Sequence, residues 1–385
     1  MKVMTIVGTR PEIIRLSRVI ARLEATEGIE HVLVHTGQNY DHGLNQVFFD
    51  DLALRAPDHY LGVDTSSLGA VLGGVLIGTE QVLLSERPDA VLVLGDTNSC
   101  LATVMAKRLR IPTYHMEAGN RCFDENVPEE TNRRLVDHVA DFNLAYTEHA
   151  RRNLLAEGLH PRRVIVTGSP MREVLEHFRE RIDASDVLAR LGLQPQEYFL
   201  VSAHREENVD SPVRLRMLLE CLRAVHESFG LPIVVSTHPR TRNRLEALGE
   251  EVDGDVRWLE PFGFHDYNRL QLDAACVLSD SGTISEESAM LGFPAITLRD
   301  SIERPEALDA GTILMTGLDA DDVRRAVGVA IADGPVVSSM PGGYDVTDTS
   351  NRVVRFILST ASRHHAWAGV RMPGSPETPA EGPTA

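Results

Sequence analysis

Short apolar runs alternate with helical segments along the chain, and this alternation is the feature that most constrains the fold. It is clearest in the stretch CVLSDSGTISEESAMLGFPAIT, which begins at Cys276. Residues 276–278 have the continuous apolar character of a strand buried on both faces. Thr283-x-x-Glu286 has the spacing of a capping box and predicts that a helix begins there. Residues 295–297 start the next strand, so the stretch predicts a βαβ unit.

The same alternation occupies most of the 385 residues. In the first half the predicted strands are residues 3–7, 31–36, 90–94, 111–115, 142–145 and 164–166. In the second half they are residues 199–202, 233–236, 256–259, 276–278, 295–297 and 312–315. Strands that alternate with helices form parallel sheets with helices on both faces. The chain is therefore predicted to be an α/β protein with two doubly wound, Rossmann-like domains that face a cleft.

The domain boundaries follow from the point at which the pattern restarts. Residues 1–170 are predicted to form the first domain and residues 171–349 the second, with a long helix at 171–193 as the bridge. A final helix is predicted at 350–366, and we expect it to pack back on the first domain. Residues 367–385 are rich in Pro, Gly, Glu and Thr, a composition typical of a disordered tail.

Composition excludes several classes of protein. The net charge of −18 argues against a nucleic-acid partner. The four cysteines lie far apart without a C-x-x-C pair, which indicates reduced thiols, a cytoplasmic location and no zinc site. No apolar run approaches the roughly twenty residues of a membrane span, and the Leu-rich residues 66–84 are predicted to form a buried helix. The sequence lacks the G-x-G-x-x-G, Walker A and G-x-S-x-G signatures, so neither a bound dinucleotide nor a hydrolase triad is predicted.

Three carboxylates lie on polar loops of the first domain. Asp96 and Glu117 follow predicted strands, and Glu129 opens a predicted helix. The carboxyl ends of parallel strands meet at one edge of a sheet, where ligands bind. Several acids in one cleft suit general acid–base catalysis, because crowding separates their pKa values. The alternative is that Asp96 caps a helix and that Glu129 is an ordinary acid of a first helical turn.

The second domain offers two histidines on comparable loops. His204 heads a run of five polar residues directly after an apolar strand, which favours a functional role, and His238 follows the next strand. Either could instead be a histidine with purely structural hydrogen bonds. Asp137 and His138 lack such a setting and are interpreted as surface or local hydrogen-bonding residues.

The turn at 279–282 has the features of a phosphate site. It precedes a predicted helix, and the free N–H groups and positive dipole end of a helix attract anions. Glu287 lies one turn inside that helix and can accept hydrogen bonds from sugar hydroxyls, while Arg304 can add a positive charge. An ordinary βα turn with a capped helix would have the same pattern.

Nine short motifs occur in order over residues 1–311, and together they resemble the non-hydrolysing UDP-N-acetylglucosamine 2-epimerases. The motifs are GTRPE, HTGQ, GDT, HMEAG, PEETNR, HREEN, THP, DSG and ERPE. The strings NRCFDENVPEETNRR and RDSIERPE resemble the subgroup that forms UDP-N-acetyl-L-fucosamine. The resemblance implies the two-domain glycosyltransferase B architecture, a UDP-N-acetylhexosamine substrate, a homodimer, and no cofactor or metal.

The resemblance also assigns roles to residues. Asp96, Glu117, Glu129 and His204 would surround the sugar as catalytic residues. The residues that would hold the UDP-sugar are Arg10, Arg15, Arg133, Tyr267, Ser281, Gly282, Thr283, Glu287 and Arg304. Gln38 and His238 would match residues that bind a second, regulatory UDP-sugar in some members. Arg15 and Thr283 depart from the family pattern, in which Lys and Gly are common at these two positions.

The implied reaction interconverts UDP-GlcNAc and UDP-ManNAc through elimination of UDP to a 2-acetamidoglucal and its re-addition. An alternative substrate is a 6-deoxy UDP-N-acetylhexosamine. Three other functions remain open from the residues alone: a UDP-sugar glycosyltransferase, a hydrolysing epimerase and a catalytically silent UDP-sugar sensor.

Overall fold

The computed structural model describes residues 1–38, 49–250, 254–334 and 340–371. Its first sheet has seven strands in the order β3-β2-β1-β4-β5-β6-β7, and neighbouring strands pair in parallel. The strands are β1 (Lys2–Val7), β2 (Glu30–His35), β3 (His59–Tyr60), β4 (Ala90–Leu94), β5 (Thr113–Met116), β6 (Phe142–Ala145) and β7 (Val164–Val166). The short edge strand β3 was not predicted from the sequence.

The second sheet has six strands in the order β10-β9-β8-β11-β12-β13, again parallel. The strands are β8 (Phe199–Ser202), β9 (Ile233–Ser236), β10 (Val256–Leu259), β11 (Cys276–Ser279), β12 (Ala295–Thr297) and β13 (Leu314–Met315). The predicted α/β class with two doubly wound, Rossmann-like sheets is confirmed.

Helices connect the strands and cover both faces of each sheet. In the first half they are α1 (Arg10–Glu24), α2 (Leu68–Glu86), α3 (Ala102–Arg108), α4 (Pro128–Val139) and α5 (Glu148–Ala156), with 3-10 turns at Asn98–Leu101 and Pro161–Arg163. In the second half they are α6 (Met171–His177), α7 (Arg179–Asp183), α8 (Val187–Leu191), α9 (Glu206–Val209), α10 (Pro212–Phe229), α11 (Pro239–Leu248), α12 (Phe264–Asp273), α13 (Ile284–Leu291), α14 (Glu306–Asp309), α15 (Ala320–Asp333) and α16 (Thr349–Ala368).

The burial of the central strands on both faces explains why they could be predicted from the sequence. Every residue of β4 is buried, as a parallel strand covered by helices on both faces requires. Side chains of β1 alternate between two cores: Val3 and Val7 pack in the core with α1 and α16, while Met4 and Ile6 pack in the core with α2 and α3. Strands of this kind are recognisable because most of their buried residues are apolar.

The last helix returns to the first sheet. Thr360 of α16 hydrogen-bonds the Tyr114 hydroxyl at 2.7 Å, and His364 Nε2 lies 3.1 Å from Asp141 Oδ1. The chain therefore passes between the two sheets twice. The two passages touch, because Ser169 N donates to Gly343 O at 2.8 Å. Gly168 has φ +85°, and a Cβ there would lie 2.5 Å from the Val346 side chain, so the contact requires glycine.

Two helix predictions were wrong in extent. The bridge predicted as one helix at 171–193 is the three short helices α6, α7 and α8. It breaks where Phe178 turns inward against Phe264, so tertiary packing overrides local helix preference. The final helix is longer than predicted, because Trp367 and Ala368, assigned to the tail, are helical. Residues 372–385 of the predicted tail lie outside the described residues.

The helix α2 was predicted to be buried, and this is wrong. Its inner positions, such as Val71, Val75 and Val82, pack on the first sheet, but Leu68 is 67% and Ile77 61% exposed. The 19-residue helix, with a mean hydropathy of 1.5, is also long and apolar enough to span a membrane, contrary to the expectation that no run approaches that length. An apolar composition thus does not reveal which side of a helix has a partner.

Candidate active site between the two sheets

The loops that follow the strands of both sheets face each other across a cleft. In the first half these loops carry Arg10 after β1, Asp96 after β4 and Glu117 after β5, while Glu129 opens α4. In the second half they carry His204 after β8, His238 after β9 and the segment from Asp280 to Thr283 after β11.

Glu117 is the carboxylate held most firmly at the cleft. Its backbone has φ +65°, a left-handed conformation that is strained for a non-glycine residue, and its side chain is buried. The carboxylate pairs with Arg15 of α1 and accepts a hydrogen bond from Arg304 Nη2 of the second half at 2.5 Å. A strained residue whose side chain is fixed by two arginines is typical of a functional site.

Arg15 of the first half pairs in turn with a carboxylate of the second half. Its Nη2 lies 2.5 Å from Glu286 Oε2 in α13. The expected capping box of Thr283 and Glu286 is therefore wrong: the Thr283 backbone is helical (φ −75°, ψ −23°), and its side chain does not cap the helix. The charge on Arg15 attracts the Glu286 carboxylate away from the local backbone, a partner 271 residues distant that local spacing cannot reveal.

Some buried polar atoms around these arginines have no hydrogen-bond partner within the described ranges. They are Arg15 Nε, Arg304 Nε, Glu286 Oε1 and the Tyr146 hydroxyl. A buried donor without an acceptor costs about 1–3 kcal/mol. A ligand that brings anionic oxygens between Arg15 and Arg304 would supply the missing acceptors.

Arg304 also supports the turn before α13. Its Nη1 donates to Gly282 O at 2.7 Å and to Glu303 Oε1 at 3.1 Å. A Cβ on Gly282 would lie 2.1 Å from Glu303 Oε1 and 2.5 Å from Arg304 Nη1, so only glycine fits. In the same turn Ser281 Oγ lies 3.0 Å from Thr283 Oγ1.

Glu287 and Tyr267 lie on the second-domain side of the cleft. Gln271 Nε2 donates to Glu287 Oε2 at 2.6 Å. Burial raises the pKa of Glu287 above its ordinary value, although Gln271 and Thr283 oppose the shift. Burial also raises the pKa of the Tyr267 hydroxyl, and the nearby Glu287 adds to that shift. Both side chains are thus desolvated groups that can recognise a neutral polar partner.

A second ion-pair group lies around Asp96 and Glu129. Arg133 Nη2 lies 2.5 Å from Asp96 Oδ2, and its Nη1 donates to Glu130 Oε2 at 2.5 Å. Across the cleft, Arg205 Nη1 lies 3.6 Å from Glu129 Oε2. Burial raises the pKa of Glu129, Arg205 lowers it in part, and Asp96 raises it further. Glu129 is therefore a carboxyl group with proton affinity suited to acid–base work.

His204 and His238 lie side by side, with ring centroids 5.7 Å apart. Asp280 accepts hydrogen bonds from the backbone N–H groups of His204 at 3.0 Å and Arg205 at 3.0 Å, which fixes the loop that carries His204. Desolvation lowers the pKa of His204, while Asp280 opposes the shift. Desolvation and the charge of His204 lower the pKa of His238 to about 4. Both rings are neutral at pH 7.

Arg10 and Gln38 lie on the first-domain side of these histidines. The positive charge of Arg10 lowers the pKa of both His204 and His238, which locates its guanidinium beside them. Gln38 Nε2 donates to Thr97 Oγ1 at 3.2 Å, next to Asp96. The structure therefore brings Arg10 near His204 and His238, and Gln38 to the loop that carries Asp96.

A buried charge network that the sequence analysis missed lies behind this cleft. His115 contacts Gly95 O at 2.7 Å through Nε2 and Asp137 at 2.9 Å through Nδ1. Asp137 accepts from Gly119 N at 3.1 Å and from Arg121 at 2.7 Å. Asp137 is fully buried, so of its two interpretations the surface residue is wrong and the hydrogen-bonding residue is confirmed, and its hydrogen bonds fix the loops that carry Asp96 and Glu117.

Three further residues were not nominated: Arg205, Glu286 and Glu303. Arg205 lies between Glu129 and Glu303, with Nη2 3.5 Å from Glu303 Oε1. The available signal was that each lies next to a nominated residue: Arg205 follows His204, Glu286 precedes Glu287 and Glu303 precedes Arg304. Within the part of the chain that the structure describes, there is no group of three or more His, Cys, Asp or Glu residues that could hold a metal ion.

Known proteins share this arrangement. The sequence model of the UDP-N-acetylglucosamine 2-epimerase family matches residues 21–358. The structure of UDP-N-acetylglucosamine 2-epimerase from Rickettsia bellii is 43% identical, with a TM-score of 0.87 over 96% of this chain and 100% of that one. The Methanocaldococcus jannaschii UDP-GlcNAc 2-epimerase in complex with UDP-GlcNAc and UDP is 34% identical, with a TM-score of 0.88 over 93% and 100%. The UDP-2,3-diacetamido-2,3-dideoxy-D-glucuronate 2-epimerase of Pseudomonas aeruginosa is 34% identical over 341 residues, which are 86% of this chain and 94% of that protein.

Proposed function

The chain belongs to the UDP-N-acetylglucosamine 2-epimerase family, and we infer that it interconverts UDP-GlcNAc and UDP-ManNAc without hydrolysing them. It is an isomerase. The observation that carries the inference is the contact of Glu117, a carboxylate of the first half, with Arg304 beside the anion-binding turn of the second half. A sugar between these residues would have acids at its ring while its leaving group remains in the protein.

The reaction requires both acids at the sugar ring and a site that retains the leaving group. The C2 proton of the sugar is not acidic, so direct removal is slow. Cleavage of the C1–O bond first builds positive charge at C1, which makes the C2 proton removable. The products are UDP and a 2-acetamidoglucal, and UDP returns after a proton has been added to C2 from the opposite face. An enzyme for this sequence needs a base, an acid and a site that retains free UDP.

We assign retention of UDP to the cations and the turn at α13. Arg10, Arg15 and Arg304 would neutralise the diphosphate, and the turn with Ser281, Gly282 and Thr283 would donate to its oxygens. Glu287 would accept from the ribose hydroxyls, and Tyr267 would lie against the uracil. Glu117 and Glu286 pair with Arg15 and Arg304. Bound diphosphate would take over both arginines and release Glu117 toward the sugar.

We assign proton transfer at C2 to Asp96, Glu117, Glu129 and His204. The raised pKa of Glu129 and the neutral His204 ring suit groups that exchange protons near neutral pH. Arg133 would hold the Asp96 side chain in position through their 2.5 Å contact.

A second UDP-sugar is proposed to bind beside the substrate, against Gln38 and His238. His238 adjoins His204, and Gln38 adjoins the Asp96 loop. Occupancy there would act directly on two of the proposed catalytic groups.

In the proposed mechanism the cleft between the two domains closes during the reaction. We propose that residues 1–170 and 171–349 move as two domains, with the helix at 350–366 belonging to the first, and that closure retains the glucal intermediate. The four cysteines are free, which supports a cytoplasmic location.

A homodimer is proposed, with the exposed face of α2 as its contact. Ile77 and Leu84 are 61% and 56% exposed and lie seven residues apart on one face of the helix, and Gly69 and Gly73 on that side permit close approach. An exposed apolar helix face of this length is characteristic of a contact between subunits. A two-fold axis would pair α2 with itself.

The sugar itself is proposed on narrower grounds. One relative from Pseudomonas aeruginosa acts on a diacetamido-dideoxy glucuronate, so this family epimerises different UDP-sugars at similar identity. A 6-deoxy UDP-N-acetylhexosamine is therefore the alternative substrate.

The test is an NMR assay in heavy water with UDP-GlcNAc and, separately, a 6-deoxy UDP-N-acetylhexosamine. We expect deuterium at C2 and an equilibrium of two intact UDP-sugars with one of the substrates. Release of free N-acetylmannosamine with UDP would identify a hydrolysing epimerase. Binding without deuterium incorporation would identify a sensor, and sugar transfer to an added acceptor would identify a glycosyltransferase.

A further inference from the structure

Glu12 of α1 is a buried carboxylate to which the proposed mechanism gives no role. It is 1% exposed and accepts six hydrogen bonds, of which the one from Cys100 Sγ is long at 3.7 Å. Its Oε2 accepts from Gly8 N at 2.7 Å, Thr9 N at 2.7 Å and Thr9 Oγ1 at 3.0 Å. Its Oε1 accepts from Thr97 Oγ1 at 2.8 Å and Ser99 Oγ at 2.5 Å. Each oxygen of the carboxylate thus serves a different loop.

Helix capping accounts for only half of this arrangement. Thr9 and Glu12 form a capping box at the start of α1, which explains the contacts of Oε2. The contacts of Oε1 reach residues 85 and 87 positions away, on the loop after β4. A carboxylate required only to cap α1 would leave Oε1 to solvent.

The two loops joined by Glu12 each carry a residue of the proposed active site. Arg10 follows Thr9 directly, and Asp96 precedes Thr97 directly. We propose that Glu12 is a positioning residue that fixes the distance between the diphosphate-binding Arg10 and the acid–base residue Asp96. This inference rests on the proposed function, because the roles of Arg10 and Asp96 come from it.

The hydrogen-bond donors around Glu12 determine how the side-chain amide of a glutamine would be oriented at this position. The N–H groups of Gly8 and Thr9 can only donate, so the single oxygen of a glutamine must face them. Its NH₂ group would then face Thr97 and Ser99, whose hydroxyls must turn round to accept. Glu12→Gln should therefore keep the Arg10 loop in place and loosen the Asp96 loop.

The experiment compares Glu12→Gln with the wild type in two measurements. We expect kcat for C2 epimerisation to fall about 10- to 100-fold, while the Kd for UDP measured by calorimetry changes by less than about 3-fold. The matched control is Asp141→Asn, which also removes a buried carboxylate that accepts from a backbone N–H and a hydroxyl, but at the opposite edge of the same sheet. Its kcat should stay at the wild-type value below its melting temperature.

A double variant separates positioning from a general loss of structure. In the Asp96→Asn background, Glu12→Gln should have little further effect on kcat, because its action passes through Asp96. Multiplicative effects of the two substitutions would overturn the proposal, as would a wild-type kcat in Glu12→Gln. If Glu12→Gln does not fold, Ser99→Ala removes one donor on the Asp96 side, and it should lower kcat several-fold at unchanged UDP affinity; an unchanged kcat would overturn the proposal.

The outcomes also distinguish this inference from the proposed function. A wild-type protein that incorporates no deuterium at C2 of any UDP-sugar contradicts the proposed function, and this inference with it. A wild-type protein that exchanges C2, together with a Glu12→Gln variant that exchanges equally fast, contradicts this inference alone.

Discussion

Arg304 Nη2 in the second half lies 2.5 Å from Oε1 of Glu117 in the first half, so a buried ion pair crosses the cleft. Arg15 and Glu286 cross it in the opposite direction, also at 2.5 Å. Removal of one partner from a buried pair of this kind costs about 3–5 kcal/mol, because the other charge is left without compensation. The cleft is therefore held closed by the same arginines that we assign to the diphosphate, and substrate must compete with protein carboxylates for them.

This competition predicts the behaviour of Glu117→Gln. Turnover should fall by about 10²- to 10⁴-fold, because a proposed proton-transfer group is lost. UDP affinity should stay the same or increase, because Arg15 and Arg304 no longer pair with a full negative charge at this position. Steady-state kinetics and calorimetric titration with UDP provide the two numbers. Weaker UDP binding would show that Glu117 supports the arginines rather than competing for them.

Gly282→Ala should weaken UDP binding by about tenfold or more. The new Cβ would lie 2.1 Å from Glu303 Oε1 and 2.5 Å from Arg304 Nη1, so both side chains must move away from the turn. The matched control is Gly342→Ala, where a Cβ would meet no atom within 4 Å. Equal UDP affinity of the two variants would separate Arg304 from the diphosphate site.

Asp141→Asn should destabilise the protein by about 2 kcal/mol at pH 7. This carboxylate contacts Lys107, His364 and the Thr113 N–H. Burial raises the pKa of Asp141, but His364 and Lys107 lower it by more, so it falls from 3.8 to about 2. A depressed carboxyl pKa gives stability that is present above the unfolded value of 3.8 and lost as the pH falls toward 2. Urea unfolding across pH 7 to 3 should therefore show the two proteins converging in acid. A difference that stays constant with pH would contradict this assignment.

Ile77→Glu should dissociate the proposed dimer. Ile77 is 61% exposed on the apolar face of α2, and a carboxylate there would be desolvated in a contact between two copies. Light scattering should give the monomer mass for this variant and the dimer mass for the wild type. Val329→Glu is the control, since Val329 is 51% exposed on α15 of the second half and should leave the dimer intact. A dimer that survives Ile77→Glu would place the contact elsewhere.

Local sequence patterns predicted the strands, but they did not predict the contacts between distant residues that organise the site. Residues 142–145 and 199–202 were predicted to the residue, because a strand buried on both faces must be apolar and its polar ends mark where it stops. The helix α2 shows the limit of the same reasoning. Its apolar character was recognised, but burial depends on what lies opposite, which a single segment does not encode.

Long-range charge pairing explains the errors near the site. Glu286 has the spacing of a capping residue, yet it pairs with Arg15. Asp137 was interpreted as a possible surface residue, yet it lies fully buried between His115 and Arg121. Sequence order places such groups on the correct loops, because the loops follow strand ends. Which acid pairs with which base is decided by geometry between distant segments.

The two passages of the chain between the sheets have a consequence for exchange of substrate and product. They touch at Ser169 and Gly343, and Thr349 Oγ1 also donates to Ser169 O at 3.1 Å. Two adjoining connections favour rotation of the halves about the point where the connections meet. We expect an opening about that point to break the Arg304–Glu117 and Arg15–Glu286 pairs together, so that entry of a nucleotide sugar and departure of its epimer would share one step.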